Sequence, residues 1–122
     1  MSLMSKLKAA LAPSPRVDPK ACIPRILGGK AVLVDVREPS EWAGGVAKDA
    51  LLLPLSDLMG GRSRWKGALA GAGRRELILY CAAGGRAGRA ARILELEGFR
   101  AVNAGGLGDW AAAGWEVVRP AE

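Results

Sequence analysis

Four short apolar runs, separated by segments with helical character, are the feature that most constrains the fold. The runs are AVLVDV (31–36), ALLLPL (50–55), ELILY (76–80) and AVNAGG (101–106). Continuous apolar runs of this length are typical of strands that are buried on both faces, as in a parallel sheet. Strands that alternate with helices indicate an α/β fold. The sequence therefore predicts a three-layer α/β domain with a mainly parallel sheet.

Helix signals fill the segments between the runs. Asp18 is a suitable N-cap and Pro19 a suitable first residue for a helix that Gly28 would end. Apolar residues at helical spacing predict a longer helix over 86–97, and LGDWAAAGW (107–115) predicts a closing helix. The predicted strands and helices therefore alternate along the chain.

The chain has 122 residues, which suits a single domain. Residues 13–120 are expected to form it, and residues 1–12 are expected to be a flexible tail that derives in part from cloning. No apolar run approaches the roughly 18 residues that cross a bilayer, and the first residues do not form a secretion signal. We therefore expect a soluble cytoplasmic protein with reduced thiols and no membrane partner.

The net charge is +6, from 18 basic and 12 acidic residues. An excess of this kind attracts nucleic acid, anionic lipid or a small anionic substrate. The basic residues are spread along the chain, without a block of five like charges. We therefore expect a small anionic substrate and no nucleic acid.

The chain contains no histidine and two cysteines, Cys22 and Cys81. The absence of histidine excludes Ser-His-Asp and Cys-His catalysis and disfavours an ordinary Cys/His zinc site. The cysteines are too few for a disulfide framework and do not form a Cys-x-x-Cys pair. We therefore expect no metal, and any nucleophile must be activated without imidazole. Cys22 lies in a helix without anion-binding features and is expected to be structural.

Cys81 opens the stretch CAAGGRAGR at the end of the third run. Ligands of parallel sheets bind at the carboxyl ends of the strands, where this cysteine is expected. Backbone amides in a glycine-rich bend and the N-terminus of the next helix favour a thiolate there, and Arg86, with Arg89, would supply positive charge. Gly84 and Gly85 allow the backbone to pass close to the sulfur. The pattern leaves two alternatives, a nucleophilic cysteine and a buried structural one.

The stretch around Cys81 resembles the Cys-x-x-Gly-x-Arg-[Ser/Ala] active-site loop of the rhodanese-like sulfurtransferases. Three further stretches resemble other marks of that family, in the same order along the chain. They are VDVREPSEW (34–42), ALLLPL (50–55) and GFRAVNAGGLGDWAAAGWEV (98–117). The resemblance covers residues 14–118. It departs from the family pattern at 45–47, where GVA stands in place of a frequent Gly-His-Ile, and the missing histidine is expected to remove one structural polar contact.

The resemblance implies a five-stranded, mainly parallel sheet flanked by helices. It also implies sulfurtransferase activity without a metal or organic cofactor, in which the Cys81 thiolate takes the outer sulfur of thiosulfate or a similar donor as a persulfide. The terminal sulfur would then pass to cyanide, a thiol or a protein acceptor. Arg86 would act with the cysteine by pairing with the loop or with the anionic donor, while Asp35 and Arg37 would support the loop. The residues implied to bind the substrate are Ala82, Ala83, Gly84, Gly85 and Arg86.

Other functions stay open at this point. Related phosphatases have five residues between cysteine and arginine, whereas four separate Cys81 from Arg86 here, which favours sulfur over a larger phosphoryl group. Rhodanese-like folds also serve as non-catalytic binding or regulatory modules. A protein acceptor could dock on an exposed surface formed by Trp65 and the basic residues of 62–66, for which a solvated basic loop is the alternative.

Overall fold

The computed structural model of the chain describes Leu3 and residues 12–120. The predicted tail, residues 1–12, therefore lies outside the described residues apart from Leu3 and Ala12. In chain order the helices and strands are α1 (Pro19–Leu27), β1 (Ala31–Asp35), α2 (Pro39–Trp42), β2 (Val46–Ala47), β3 (Leu51–Leu52), α3 (Leu55–Leu58), α4 (Trp65–Ala72), β4 (Glu76–Cys81), α5 (Gly85–Leu96), β5 (Ala101–Gly106), α6 (Leu107–Ala112) and β6 (Val117–Val118).

Four parallel strands form the main sheet, in the order β3–β1–β4–β5. β1 and β4 pair residue by residue and end with Asp35 beside Tyr80. β4 and β5 run in the same direction, with an irregularity that sets Cys81 beside Gly106. The register therefore brings the carboxyl ends of β1, β4 and β5 together at one end of the sheet, and the predicted nucleophile lies at that end.

The predicted fifth strand is reduced to a single bridge. Arg16 pairs with Asn103 in parallel at the outer edge of β5, and the Val17 amide donates to the Asn103 carbonyl at 2.7 Å. Pro13 and Pro15 have no backbone N–H, so they cannot extend this pairing into a ladder. The main sheet of the described residues accordingly has four strands rather than five.

The predicted strand over 50–55 is also shorter than expected. β3 spans only Leu51–Leu52, and Pro54 already stands as the N-cap of α3, so the chain turns into a helix where more strand was predicted. An antiparallel pair that the sequence did not indicate joins β2 to β6, with Val46 beside Val118. Val46 stands where the family often has histidine and is buried, so an apolar side chain fills this place.

The other predicted elements agree with the structure to within a few residues. β5 covers the predicted run 101–106, and α5 occupies Gly85–Leu96 where a helix over 86–97 was predicted. Asp18 caps α1 as expected, because its side chain accepts from the Lys20 amide at 3.0 Å. The local signals for strands and caps are therefore sufficient in these segments.

Helices cover both faces of the sheet, which confirms the three-layer architecture. On one face, α3, α4 and α5 pack on β1 and β4 around Leu58, Trp65 and Leu94. On the other face, α1 and α6 pack around Cys22 and Trp110. Cys22 is 1% exposed, as a structural role requires. In the part of the chain that the structure describes, no helix combines the length and apolar character needed to cross a membrane.

Trp65 does not form the exposed docking surface considered above. Its ring is fully buried, and its indole N–H donates to the Pro54 carbonyl at 2.8 Å. Arg62 binds Glu97 through two hydrogen bonds of 2.7 Å. Trp65, the aromatic residue of segment 62–66, is therefore part of the core at the start of α4.

Candidate active site

Cys81 is the last residue of β4, a strand in which every residue is buried. Its side chain is 1% exposed and belongs to the core on the face of the sheet that α5 covers. The chain then turns through Ala82, Ala83 and Gly84 into α5. The predicted nucleophile therefore sits at the carboxyl edge of the sheet, next to the N-terminus of a helix.

One backbone amide of this turn contacts the sulfur. The Gly84 N–H donates to Cys81 Sγ at 3.0 Å. Gly84 has a φ of 103°, in the left-handed region that favours glycine, and it caps α5. Gly85 and Arg86 begin α5, and the first N–H groups of a helix have no acceptor within it. An anionic sulfur on Cys81 would therefore meet amide hydrogens and the positive end of a 12-residue helix.

The outer surface of the loop is open to solvent. Ala82, Ala83 and Gly85 are exposed, while Gly84 is buried. On its inner side the loop packs closely on β5, where a Cβ on Gly106 would collide with the Ala82 carbonyl. Small residues therefore let the loop lie against the sheet while its outer face stays accessible.

Arg16 contacts the loop from the segment before α1, which the sequence did not indicate. Its guanidinium donates to the Ala83 carbonyl and forms an ion pair with Asp109 at 3.4 Å. Arg16 and Ala83 are 67 positions apart in the chain. No local pattern could therefore have revealed this contact.

Arg86 forms a two-pronged ion pair with Glu41. Nη1 lies 2.5 Å from Oε1, and Nη2 lies 2.9 Å from Oε2. The hydrogen bonds from Arg86 lower the pKa of Glu41 to about 2, and the same bonds raise the pKa of Arg86. The resemblance implied that Arg86 pairs with the loop or with the donor, whereas its side-chain partner in the structure is Glu41, which lies in the quoted stretch VDVREPSEW. Arg89, the other predicted source of positive charge, is exposed on α5.

Asp35 and Arg37 form a buried network behind the loop. Asp35 is fully buried, and Arg37 donates to its Oδ2 from Nε at 3.1 Å and from Nη2 at 2.9 Å. The Tyr80 hydroxyl donates to Asp35 at 2.7 Å and accepts from the Ala47 amide at 2.9 Å. Burial, together with the hydrogen bond to Asp35, raises the pKa of Tyr80. Burial alone would lower the pKa of Arg37, but its hydrogen bonds to Asp35 outweigh this effect and the pKa is raised.

This network reaches the loop through neighbouring residues. Tyr80 directly precedes the cysteine in β4. Arg37 also donates to the Glu41 carbonyl at 3.4 Å, and the Glu41 side chain binds the arginine of the loop. The support predicted for Asp35 and Arg37 would therefore act through Tyr80 and Glu41.

The arrangement suits chemistry that places negative charge on sulfur. The Gly84 amide and the helix N-terminus both stabilise an anion at Cys81, and neither requires imidazole. Within residues 12–120 and Leu3, no three His, Cys, Asp or Glu side chains are grouped to hold a metal ion. The groups that the structure brings together at this end of the sheet are a cysteine thiol and backbone amide donors.

The family model of the rhodanese-like domain matches residues 20–113. This range contains the buried Asp35 network and the whole Cys81 loop, and it amounts to most of the chain. The chain belongs to the rhodanese-like domain family. Within this rhodanese-like domain, the loop geometry described above lies at the place that the sequence resemblance implied.

Two relatives are about one third identical to this rhodanese-like domain over the residues that align. A sulfurtransferase of Allochromatium vinosum is 34% identical over 91 residues, which are 73% of this chain and 79% of that protein. The uncharacterized protein slr1261 of Synechocystis is 37% identical over 90 residues, which are 72% of this chain and 47% of that protein. The match with the rhodanese-like domain thus spans about half of the length of slr1261.

Solved structures of similar proteins have the same fold. A rhodanese-related protein from Thermoplasma volcanium superposes with a TM-score of 0.69 at 25% identity, covering 86% of this chain and 98% of that chain. A rhodanese with anions from E. coli gives a TM-score of 0.61 at 28% identity, covering 74% of this chain and 99% of that chain. The rhodanese-like domain therefore accounts for nearly the whole of these two structures.

Proposed function

We propose that this rhodanese-like domain is a sulfurtransferase that carries a sulfane sulfur on Cys81. The family and the name of the Allochromatium vinosum relative support sulfur transfer at the level of the family. The observation that carries the proposal is the position of Cys81 Sγ, 3.0 Å from the Gly84 amide and at the N-terminus of α5. A buried structural cysteine would not need an amide donor at its sulfur.

The proposed reaction has two displacement steps at sulfur. The Cys81 thiolate first attacks the outer sulfur of thiosulfate, so that a new S–S bond forms while the S–S bond of thiosulfate breaks and sulfite leaves with the electron pair. Cyanide or a thiolate then attacks the terminal sulfur of the persulfide. The thiolate of Cys81 leaves, and thiocyanate or an acceptor persulfide is formed. Both steps balance without an external oxidant or reductant.

The loop would stabilise the charge that each step places on sulfur. The backbone amides of residues 82–86 would hold the anionic persulfide, beginning with the amide of Gly84 that already contacts Cys81. Arg86 keeps about a third of its side chain exposed beside Glu41. It would therefore hold the loop through this ion pair and present its free face to an anionic donor.

The donors that fit this loop are small anions. Only four residues separate Cys81 from Arg86, so the loop would surround a sulfur atom more closely than a phosphoryl group. The exposed backbone at Ala82, Ala83 and Gly85 leaves room for a donor such as thiosulfate to approach. The proposed acceptors are cyanide, a small thiol or a cysteine of another protein, since each offers a nucleophile for the terminal sulfur.

Intact-mass spectrometry tests the proposal directly. The reduced protein is incubated with thiosulfate, the excess donor is removed, and the intact mass is measured. Cyanide is then added, and the thiocyanate that forms is measured. We expect a gain of one sulfur atom, about 32 Da, as for any persulfide, and its loss on addition of cyanide. Cys81→Ser should show neither change. Cys22→Ala is the matched control and should behave as the unaltered protein, because burial raises the pKa of the Cys22 thiol and keeps it protonated.

A second donor distinguishes the remaining outcomes. If thiosulfate adds no mass, the experiment is repeated with mercaptopyruvate and the enzyme that takes its sulfur as an enzyme-bound persulfide and releases pyruvate. A gain that depends on Cys81 in this second experiment would support sulfur transfer with a different donor. Failure with both donors would refute the catalytic proposal and leave the domain as a binding or regulatory module.

A further inference from the structure

Arg16 reaches the Cys81 loop from an unexpected part of the chain. Two backbone hydrogen bonds, one on each side of Arg16, fix this segment to the domain. The Ser14 amide donates to the Gly88 carbonyl at 3.1 Å, and the Val17 amide donates to the Asn103 carbonyl at 2.7 Å. From this position the Arg16 guanidinium extends to the carboxyl edge of the sheet. Its contact with the loop is therefore supported by an anchored backbone.

The atom that Arg16 binds belongs to the peptide unit that contacts the sulfur. Arg16 Nη2 donates to the Ala83 carbonyl, and the N–H of the next residue, Gly84, donates to Cys81 Sγ. These two groups form one peptide unit, and in a trans peptide the C=O and N–H point in opposite directions. A cation that holds the carbonyl outward therefore holds the amide hydrogen inward, toward the sulfur.

This orientation would be easy to lose without such a contact. Gly84 has a φ of 103°, and glycine has access to many other backbone conformations. The guanidinium lies so close to Gly84 that a Cβ on this residue would collide with it. Asp109 holds the guanidinium from the other side at 3.4 Å, and its Oδ2 also accepts from the Gly106 amide at 2.8 Å. The position of Arg16 is thus defined by contacts on both sides.

Arg16 differs in this respect from the arginine of the family motif. Arg86 is bound by both oxygens of Glu41, so its charge is largely matched by that carboxylate. Arg16 has one longer contact with Asp109 and a direct hydrogen bond to the loop carbonyl. A positive charge on a carbonyl polarises its peptide unit and strengthens the hydrogen bond that the N–H donates.

We propose that Arg16 is a positioning residue for the nucleophile, which orients and polarises the Ala83–Gly84 peptide so that its amide stabilises the Cys81 thiolate. The inference rests on the proposed function, because it concerns the same cysteine. It assigns part of the activation of Cys81 to a residue outside the motif that marks the family. The consequence is that the thiolate depends on the segment before α1.

The test measures the ionisation of Cys81 in the absence of any sulfur donor. The far-ultraviolet absorbance of the thiolate is followed against pH in each variant, and the same variant with Cys81→Ser is subtracted. The thiolate-to-thiol ratio is compared at the pH at which the unaltered protein is half ionised. Arg16→Gln should lower this ratio about two- to fivefold, the effect of one partly exposed charge contact. Arg16→Lys keeps a charge and a donor and should restore most of the ratio.

Arg100→Gln is the matched control. It removes the same charge from an exposed residue that directly precedes β5, at the amino end of the strands and away from Cys81. The thiolate-to-thiol ratio should therefore stay unchanged. An unchanged ratio in Arg16→Gln, an equal fall in Arg100→Gln, or an Arg16→Lys ratio no higher than that of Arg16→Gln would overturn the inference. Because no donor is present, this result is independent of whether Cys81 accepts sulfur, so a failure of the proposed function is seen separately in the mass experiment.

Discussion

The substitution Arg37→Met should destabilise the domain strongly, because it leaves a buried carboxylate without its cation. Asp35 is fully buried and accepts three side-chain hydrogen bonds from Arg37, at 3.1, 3.1 and 2.9 Å. Methionine fills much of the space but provides none of these donors. Asp35 would retain only the Tyr80 hydroxyl at 2.7 Å and the backbone amide of residue 37 at 2.8 Å.

Breaking a buried ion pair by removing one partner costs about 3–5 kcal/mol of unfolding free energy. For a domain of this size, roughly 3–5 °C of melting temperature corresponds to each kcal/mol, so we expect a fall of about 10–20 °C. Urea unfolding and thermal unfolding followed by circular dichroism measure the two quantities. The double variant Asp35→Asn, Arg37→Met removes the charge as well, and its loss should be smaller than the sum of the two single losses.

Two results would refute this reasoning. A loss of less than about 1 kcal/mol in Arg37→Met would place the pair among exposed ion pairs of little net effect. A double variant whose loss equals the sum of the single losses would show that Asp35 and Arg37 stabilise the fold independently. In either case the network could not be the rigid support behind the loop.

Three further predictions follow from other contacts. Glu41→Gln should remove a pH dependence of stability, because the pKa of Glu41 is lowered to about 2 from a usual 4.5. The pair with Arg86 therefore stabilises the fold above about pH 4.5, and this contribution is lost as the pH falls toward 2. Urea unfolding at pH 5 and pH 3 checks this, and an unchanged pH dependence in the variant would contradict it. Gly106→Ala should cost about 1–3 kcal/mol and lower the yield of persulfide, because the new Cβ collides with the loop, whereas Gly108→Ala, with open space around it, should have neither effect. Trp65→Phe should cost about 1–3 kcal/mol in thermal unfolding, because a buried carbonyl loses its indole donor; a neutral result would mean that this hydrogen bond contributes little to stability.

The main strands and the position of Cys81 could be predicted from sequence because their signals are local. The run before Cys81 is continuous and apolar, and the glycines after it mark the turn into a helix. Such signals fix which residues lie at the carboxyl edge of a parallel sheet, wherever the rest of the chain lies. The prediction of this edge therefore needed no knowledge of distant contacts.

The contacts that hold the loop could not be predicted in the same way. Arg16 meets Ala83 from 67 positions away, and Glu41 meets Arg86 from 45 positions away. Such partners depend on the register of the sheet and on where its edges lie. The prediction of five strands in the main sheet was wrong for a related reason. A segment with prolines at alternate positions, such as residues 13–15, can lie beside a strand without pairing with it along its length.

The single bridge at Arg16 also bears on the behaviour of the domain in concentrated solution. An unpaired strand edge offers a row of N–H and C=O groups to any other chain, and it favours aggregation. Here one edge of the sheet is the two-residue strand β3, and beside the other edge lies the segment that bridges β5 at Asn103. The same segment that brings Arg16 to the loop thus covers part of the outer edge of β5, and its loss would leave all six residues of this strand open to self-association.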